Sequence, residues 1–179
     1  MIDKKAILIF EIASTIFTII LGTILHYTYK WSNKNPLVGA FSAVNESTGE
    51  HLKLLFFPML ITTIVGYFYV GDFIPNFLSA KTIGIIVAIL FTVIFFYTYT
   101  GILGRNYAVL NILTFIFSAI LGEYLAYKLM FSVFECNTSI DVFILSVLFI
   151  SFLTFTFFPP KIGLFKDPIS GKYGIKYIV

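Results

Sequence analysis

The chain has 179 residues, 59% hydrophobic and 12% charged, where ordinary soluble domains carry about a quarter charged residues. That composition excludes a soluble globular domain and leaves a protein whose solvent is lipid. The formal charge of +3 is no nucleic-acid footprint, because the basic residues stand singly and form no stripe.

Uncharged stretches of bilayer length recur at Ile12–Tyr29, Leu54–Gly71, Thr82–Gly104, Asn106–Gly122 and Val142–Pro160. A helix rises about 1.5 Å per residue, so roughly 20 apolar residues cross a hydrocarbon core of about 30 Å. Allowing one interfacial charge at an end, the runs predict spans near 6–28, 50–70, 82–100, 107–129 and 141–158. They are apolar all round rather than alternating every second residue, which excludes a barrel. Lipid offers backbone groups no water, so the spans are helices. The prediction is an all-α polytopic integral membrane protein, one membrane domain over 1–179 with a soluble tail at 159–179.

The first span begins at Lys4 and Lys5, but Glu11 interrupts it, no small-residue cleavage site follows, and it continues to His26. A cleaved signal peptide is therefore not expected. At 100° per residue, Glu11, Ser14, Thr15, Thr18, Gly22 and His26 fall within about 120° of arc. Such a stripe is either a packing face or the wall of a polar path. Glu11 and His26 are separated by roughly 22 Å along the axis and cannot share a site.

Between Tyr29 and Val44 lies the longest stretch that spans nothing. Pro36, Gly39 and the apolar Leu37, Val38, Ala40 and Phe41 suggest that it lies in the interface or dips back, anchored at headgroup level by Tyr29 and Trp31. A dense polar segment follows, with Asn45, Glu46, Ser47, Glu50, His51 and Lys53 ahead of the second span. Ser47-x-x-Glu50 fits a capping box, in which the serine oxygen accepts the Glu50 amide and the carboxylate reaches back to the serine amide. Asn45 is an alternative cap. If the helix starts by Asn45, Glu46, Glu50 and Lys53 share one face, where the two like charges are slightly destabilising unless a cation sits between them: Lys53, Arg105 or a metal. Pro58 removes a backbone donor and predicts a kink near Leu54.

Gly84, Ala88 and Thr92 on the third span, and Ser118, Gly122 and Ala126 on the fourth, form ladders of small residues that let membrane helices approach closely. Asn111 shares the fourth span's face, and Glu123 borders it within range of Lys81 or Lys128. Cys136 stands alone, which excludes an internal disulfide and a cysteine metal cage. Pro159 and Pro160 stop the fifth span, and Asp167-Pro168-x-x-Gly171 is turn chemistry for a short hairpin whose lysines suit anionic lipid.

With five spans, Glu11, Asp72, Lys81, Glu123 and Lys128 gather on the N-terminal side. His26, residues 33–51, Arg105 and the tail gather on the far side. Lys30, Lys34, Lys53, Arg105, Lys161, Lys166, Lys172 and Lys176 also fall there, against Lys4, Lys5, Lys81 and Lys128 on the N-terminal side. Eight against four predicts a multi-pass protein of the cell membrane, N-terminus out and C-terminus in. The lysine, isoleucine and asparagine bias is that of AT-rich coding in a low-GC bacterium.

Residues 44–58, VNESTGEHLKLLFFP, resemble the signature of a family of small bacterial integral membrane proteins of unknown function. The tail 164–174, LFKDPISGKYG, is similar to that family's C-terminal end. An aromatic, often Trp, commonly stands there in the place of Gly49, and this chain departs at that position. The resemblance implies weight on Asn45, Glu46, Glu50, His51 and Lys53 and brings no activity with it.

The far-side cluster therefore carries the functional expectation. The leading reading is a protein that binds or transports a small polar solute, an ion or a lipid headgroup through Asn45, Glu46, Glu50, His51, Lys53, His26 and Arg105. His26, His51 and Glu46 form a two-histidine, one-carboxylate set for a divalent metal. The second reading is a membrane enzyme acting on a lipid or isoprenoid, metal-dependent in one version, with His51 and Glu50 as acid and base. The third is a scaffold or partner subunit whose motif only locks a helix. The enzyme requires His26 and His51 to converge in a pocket at headgroup depth, and transport requires a water-accessible path from the far-side cluster to Glu11 or Glu123.

Overall fold

A computed structural model describes residues 4–134 and 137–175; Cys136 and Lys176 lie outside the described residues. The described chain is all-helical, with α1 (Lys4–Trp31), the short α2 (Pro36–Gly39), α3 (Thr48–Val70), α4 (Phe77–Leu103), α5 (Ala108–Met130) and α6 (Thr138–Phe157). Single 3-10 turns follow α3 at Gly71–Phe73 and α6 at Gly163–Phe165. All but α2 are long and apolar enough to cross a membrane, which makes this a multi-pass membrane protein.

The helices outrun the apolar stretches that predict them. Counting apolar residues halts at Lys81, whereas α4 starts at Phe77 and runs straight through it. A charge ends a span only when it must reach water, and the Lys81 ammonium is held inside by carboxylates of α1 and α5.

The α1 stripe faces inward. Glu11, Ser14, Thr18 and Gly22 are buried, while Ile9, Ile12, Ile16, Ile20 and Ile24 are exposed to lipid. In hydrocarbon an apolar outer face costs nothing, so the polar and small residues supply the helix–helix contacts. The buried residues of the stripe thus take part in the packing of α1 on its neighbours.

At the centre lies α3, and its Leu52, Leu55, Phe56, Phe57 and Met59 form one apolar core with Ile85, Ala88, Ala119, Leu145 and Phe152. Two close approaches set the geometry around this core. Gly84 of α4 meets Gly122 of α5 backbone to backbone: a Cβ on Gly84 lies 2.5 Å from the Gly122 carbonyl oxygen. On the other side of α3, a Cβ on Gly22 lies 2.3 Å from the Leu54 carbonyl oxygen. The Leu54 carbonyl is the one that Pro58 leaves without its i+4 amide. α3 continues through Pro58 without a break, and the Cα–H groups of Gly22 come up against the freed oxygen, a weak donor for an acceptor that lost its own.

Trp31 is well exposed and stacks on Tyr27, with ring centroids 5.7 Å apart, as an interfacial anchor. Tyr29 does not join it. Two residues from each partner it points about 200° away around the helix, and its buried ring packs on Gly39 instead. The chain reverses after α1 through Asn33 and Lys34, both at positive φ (54° and 62°), then enters α2 with Asn35 as cap and Pro36 in the first turn. The tail folds back on the same end. Lys166 pairs with Tyr173 in a single antiparallel bridge, and the Ile175 amide donates to the Thr156 carbonyl at 3.0 Å.

Candidate functional site

The start of α3 is built differently from a reciprocal capping box. Ser47 Oγ does accept the Glu50 amide, at 3.4 Å, but the Glu50 carboxylate never returns to the Ser47 amide. Asn45 Oδ1 takes that amide at 2.9 Å. Glu50 Oε2 instead accepts the Val44 amide at 3.1 Å and the Lys53 ammonium at 2.6 Å. A carboxylate with a cation one turn ahead on the same helix gains more from it than from a neutral amide.

Lys53 has three bonds in a site only 1% exposed: Glu50, the Gly39 carbonyl at 2.8 Å and Thr156 Oγ1 at 2.7 Å. One side chain thus ties α2 and α6 to α3. Glu50 and Lys53, expected among the ligand-binding residues, bond to the protein itself, Glu50 through its Oε2. Glu50 also stands away from the imidazole expected as its acid–base partner, since adjacent residues on a helix point about 100° apart.

His51 faces the other way and meets His26. The two ring centroids lie 5.1 Å apart, so the far-side histidines converge from α1 and α3. Glu46, in the loop before α3, brings Oε2 to 3.5 Å from His51 Nε2. One donor atom from each of His26, Glu46 and His51 lies within 4.8 Å of the others. The Ser47 carbonyl stands 2.8 Å from His51 Nδ1. A carbonyl only accepts, so Nδ1 carries the hydrogen and the neutral ring offers its Nε2 lone pair toward Glu46. Fixing the far nitrogen on a backbone carbonyl is how metal-binding histidines are commonly oriented. His26 Nδ1 is buried and has no hydrogen-bond partner.

His51 and Glu46 line a cavity of about 390 Å³ between α3, α4, α5 and the tail. Its apolar wall includes Leu54, Leu55, Phe96 and Phe115, and its polar groups include Thr92 and Asn111. Pro168 and Ile169 of the tail close one side, so residues far apart in sequence share one wall. Asn45 Nδ2 donates to the Gly174 carbonyl across 129 positions, at 3.3 Å. Gly49 lies under the Phe165 ring, 2.5 Å from where a Cβ would sit. The tail phenylalanine therefore occupies the space a side chain at position 49 would need. Arg105 does not reach the cluster: it is exposed, and its Nε donates to the Tyr107 hydroxyl at 2.7 Å.

Asp167 holds the tail's turn. Burial pushes its carboxyl up, but the Ser170 hydroxyl and the amides of Ile169, Ser170 and Glu46 outweigh it and hold the group below the usual aspartate range. A lowered folded value means the turn is stabilised above the unfolded pKa, and that stabilisation is lost as pH falls through the folded one. The Ser170 amide resonance is therefore expected to move toward its random-coil position on acidification. Asp167→Asn removes the acid transition; an acid transition that persists in this variant assigns it elsewhere.

On the N-terminal side a second cluster is buried within the spans. Lys81 binds Glu11 at 3.0 Å and also Glu123, while Lys128 stands over the Tyr124 ring. Sequence reasoning brings these groups to one side but treats Lys81 as lying just outside the third span. The signal that finds the triad is Lys81's place four residues into α4, on the same face as Gly84 and Ala88, which pack on α5.

Residues 3–175 match the model of a family of unknown function, DUF6512. No curated protein and no solved structure matches the chain.

Proposed function

We propose, for a chain that belongs to the DUF6512 family of unknown function, that it binds a divalent cation through His26, His51 and Glu46 at the edge of its far-side cavity. The observation that carries this reading is the convergence of two histidines and a carboxylate from three separate segments within 4.8 Å. Ligand atoms about 2.0–2.1 Å from a tetrahedral ion lie about 3.3 Å apart. The His51–Glu46 edge of 3.5 Å is close to that value, and the widest edge closes by about 1.5 Å on binding. Three protein ligands leave a fourth position, and the cavity beside Glu46 and His51 gives it access to a small polar solute or a lipid headgroup.

The site lies in the cell membrane of a bacterium, with the N-terminus outside and the cavity toward the cytoplasm. Binding is favoured over transport by the core between the two polar ends, where α3 packs Leu55, Phe56 and Met59 against Ile85 and Ala119. A second reading, a metal-dependent enzyme acting on a lipid or isoprenoid, draws on the open coordination position, because an ion of that kind activates water or polarises a substrate oxygen.

Zinc titration of the purified protein in detergent tests the proposal, with elemental analysis of the washed complex. One ion per chain is expected, and His26→Ala and His51→Ala each weaken binding by more than the 10–100-fold typical of an outer-shell loss. Arg105→Ala, away from the cluster, leaves the affinity unchanged. Absence of stoichiometric metal, or equal zinc affinity in wild type and His51→Ala, refutes it.

A further inference from the structure

The N-terminal cluster has a charge balance that its visible bonds do not close. Glu11, Lys81 and Glu123 come from α1, α4 and α5 and are 3%, 0% and 1% exposed. Two carboxylates on one ammonium leave a net charge of minus one, in a region where water cannot compensate it. Both carboxylates reach the same Lys81 nitrogen, each through its Oε2. Neither can donate when both are ionised, and Glu11 Oε1 and Glu123 Oε1 are in fact buried without a partner. One added proton removes both deficits: it neutralises the site and supplies a donor where the two carboxylates offer only acceptors.

Among the described residues, the other charged groups on the neighbouring elements have partners elsewhere or face out. Asp141 of α6 bonds Ser79, Lys128 stands over Tyr124 and Lys4 over Phe131. Asp72 and Lys5 are exposed, and the charged residues of α3 lie at the opposite end.

We propose that Glu11, Lys81 and Glu123 form a proton-binding site at the N-terminal end of the bundle, in which the two carboxylates share one proton beside the lysine. On binding, one carboxylate becomes a neutral acid that donates to the other, and the remaining carboxylate keeps its pair with the ammonium. The site joins three helices, so loss of the proton sets α1 against α4 and α5. It is independent of the far-side metal reading.

Infrared difference spectroscopy of the full chain in detergent at neutral pH tests this. Wild type is expected to show the carbonyl stretch of a protonated carboxyl, shifted in deuterium oxide. Glu11→Gln and Glu123→Gln are each expected to lack it, because a single remaining carboxylate is balanced by Lys81. Either variant alone suffices if the other does not fold. No such band in wild type overturns the proposal, as does a band that persists in every variant that folds. Saturable sodium binding that is lost in the same variants, with no carboxyl band in wild type, replaces the proton by a metal cation and overturns it too.

Discussion

Lys53→Met is expected to lower the unfolding free energy by about 3–5 kcal/mol, the range for breaking a buried ion pair from one side. The penalty comes from what is left behind. Glu50 is 3% exposed and retains only the Val44 amide, while the Gly39 carbonyl and the Thr156 hydroxyl lose their shared donor. A carboxylate stranded in that setting is far costlier than the pair it came from. The double variant Glu50→Gln/Lys53→Met removes both charges and is expected to recover most of the loss. Denaturant unfolding in detergent, followed by circular dichroism, measures both. A double variant as unstable as Lys53→Met alone contradicts the ion-pair explanation and puts the cost in packing. Because Lys53 holds α2 and α6 rather than the cavity, Lys53→Met that still folds should bind zinc as wild type does.

That separation of roles was only partly legible in the sequence. The five spans were, because long uncharged runs have few alternatives in lipid. Their ends were less so: Lys81 looks like a boundary until Glu11 and Glu123 arrive from other helices. The polar segment after Ser42 was visible as unusual, and placing His26 and His51 on one membrane face posed the right question about their meeting. The division of labour within it was not visible, since helical spacing groups Glu46, Glu50 and Lys53 together. Glu46 precedes the first turn of α3 and turns to His51, leaving Glu50 to Lys53.

The docking of the tail has no local signal at all. Gly174 meets Asn45 across 129 positions, and Phe165 fills the space above Gly49. No periodicity reports a contact of that range. The resemblance brought the two segments into view together without placing them side by side. Arg105 shows the opposite error: sharing a membrane face is not proximity, and a nearby tyrosine takes the guanidinium first.

Gly22→Ala is expected to cost about 1–3 kcal/mol, the range for overpacking a filled interior, and to weaken zinc binding at the same time. Its new methyl falls 2.3 Å from the Leu54 carbonyl oxygen and 2.6 Å from the Phe115 ring. The ring can turn aside, so Phe115→Leu relieves one contact. The carbonyl cannot, being backbone of the helix that Pro58 already deprives of a hydrogen bond at that point. α1 must therefore withdraw from α3. His26 lies one turn beyond Gly22 on α1, and His51 one turn before Leu55 on α3, so the movement falls on the histidine pair. Gly101→Ala is the control: nothing stands within 4 Å of its Cβ, and replacing a helical glycine is expected to stabilise by up to about 0.5–1 kcal/mol. Paired stability and zinc titrations of the two variants read the difference. Full zinc affinity in a destabilised Gly22→Ala means the histidines do not depend on the α1–α3 contact for their spacing, and the tail and the Glu46 loop would then have to set it.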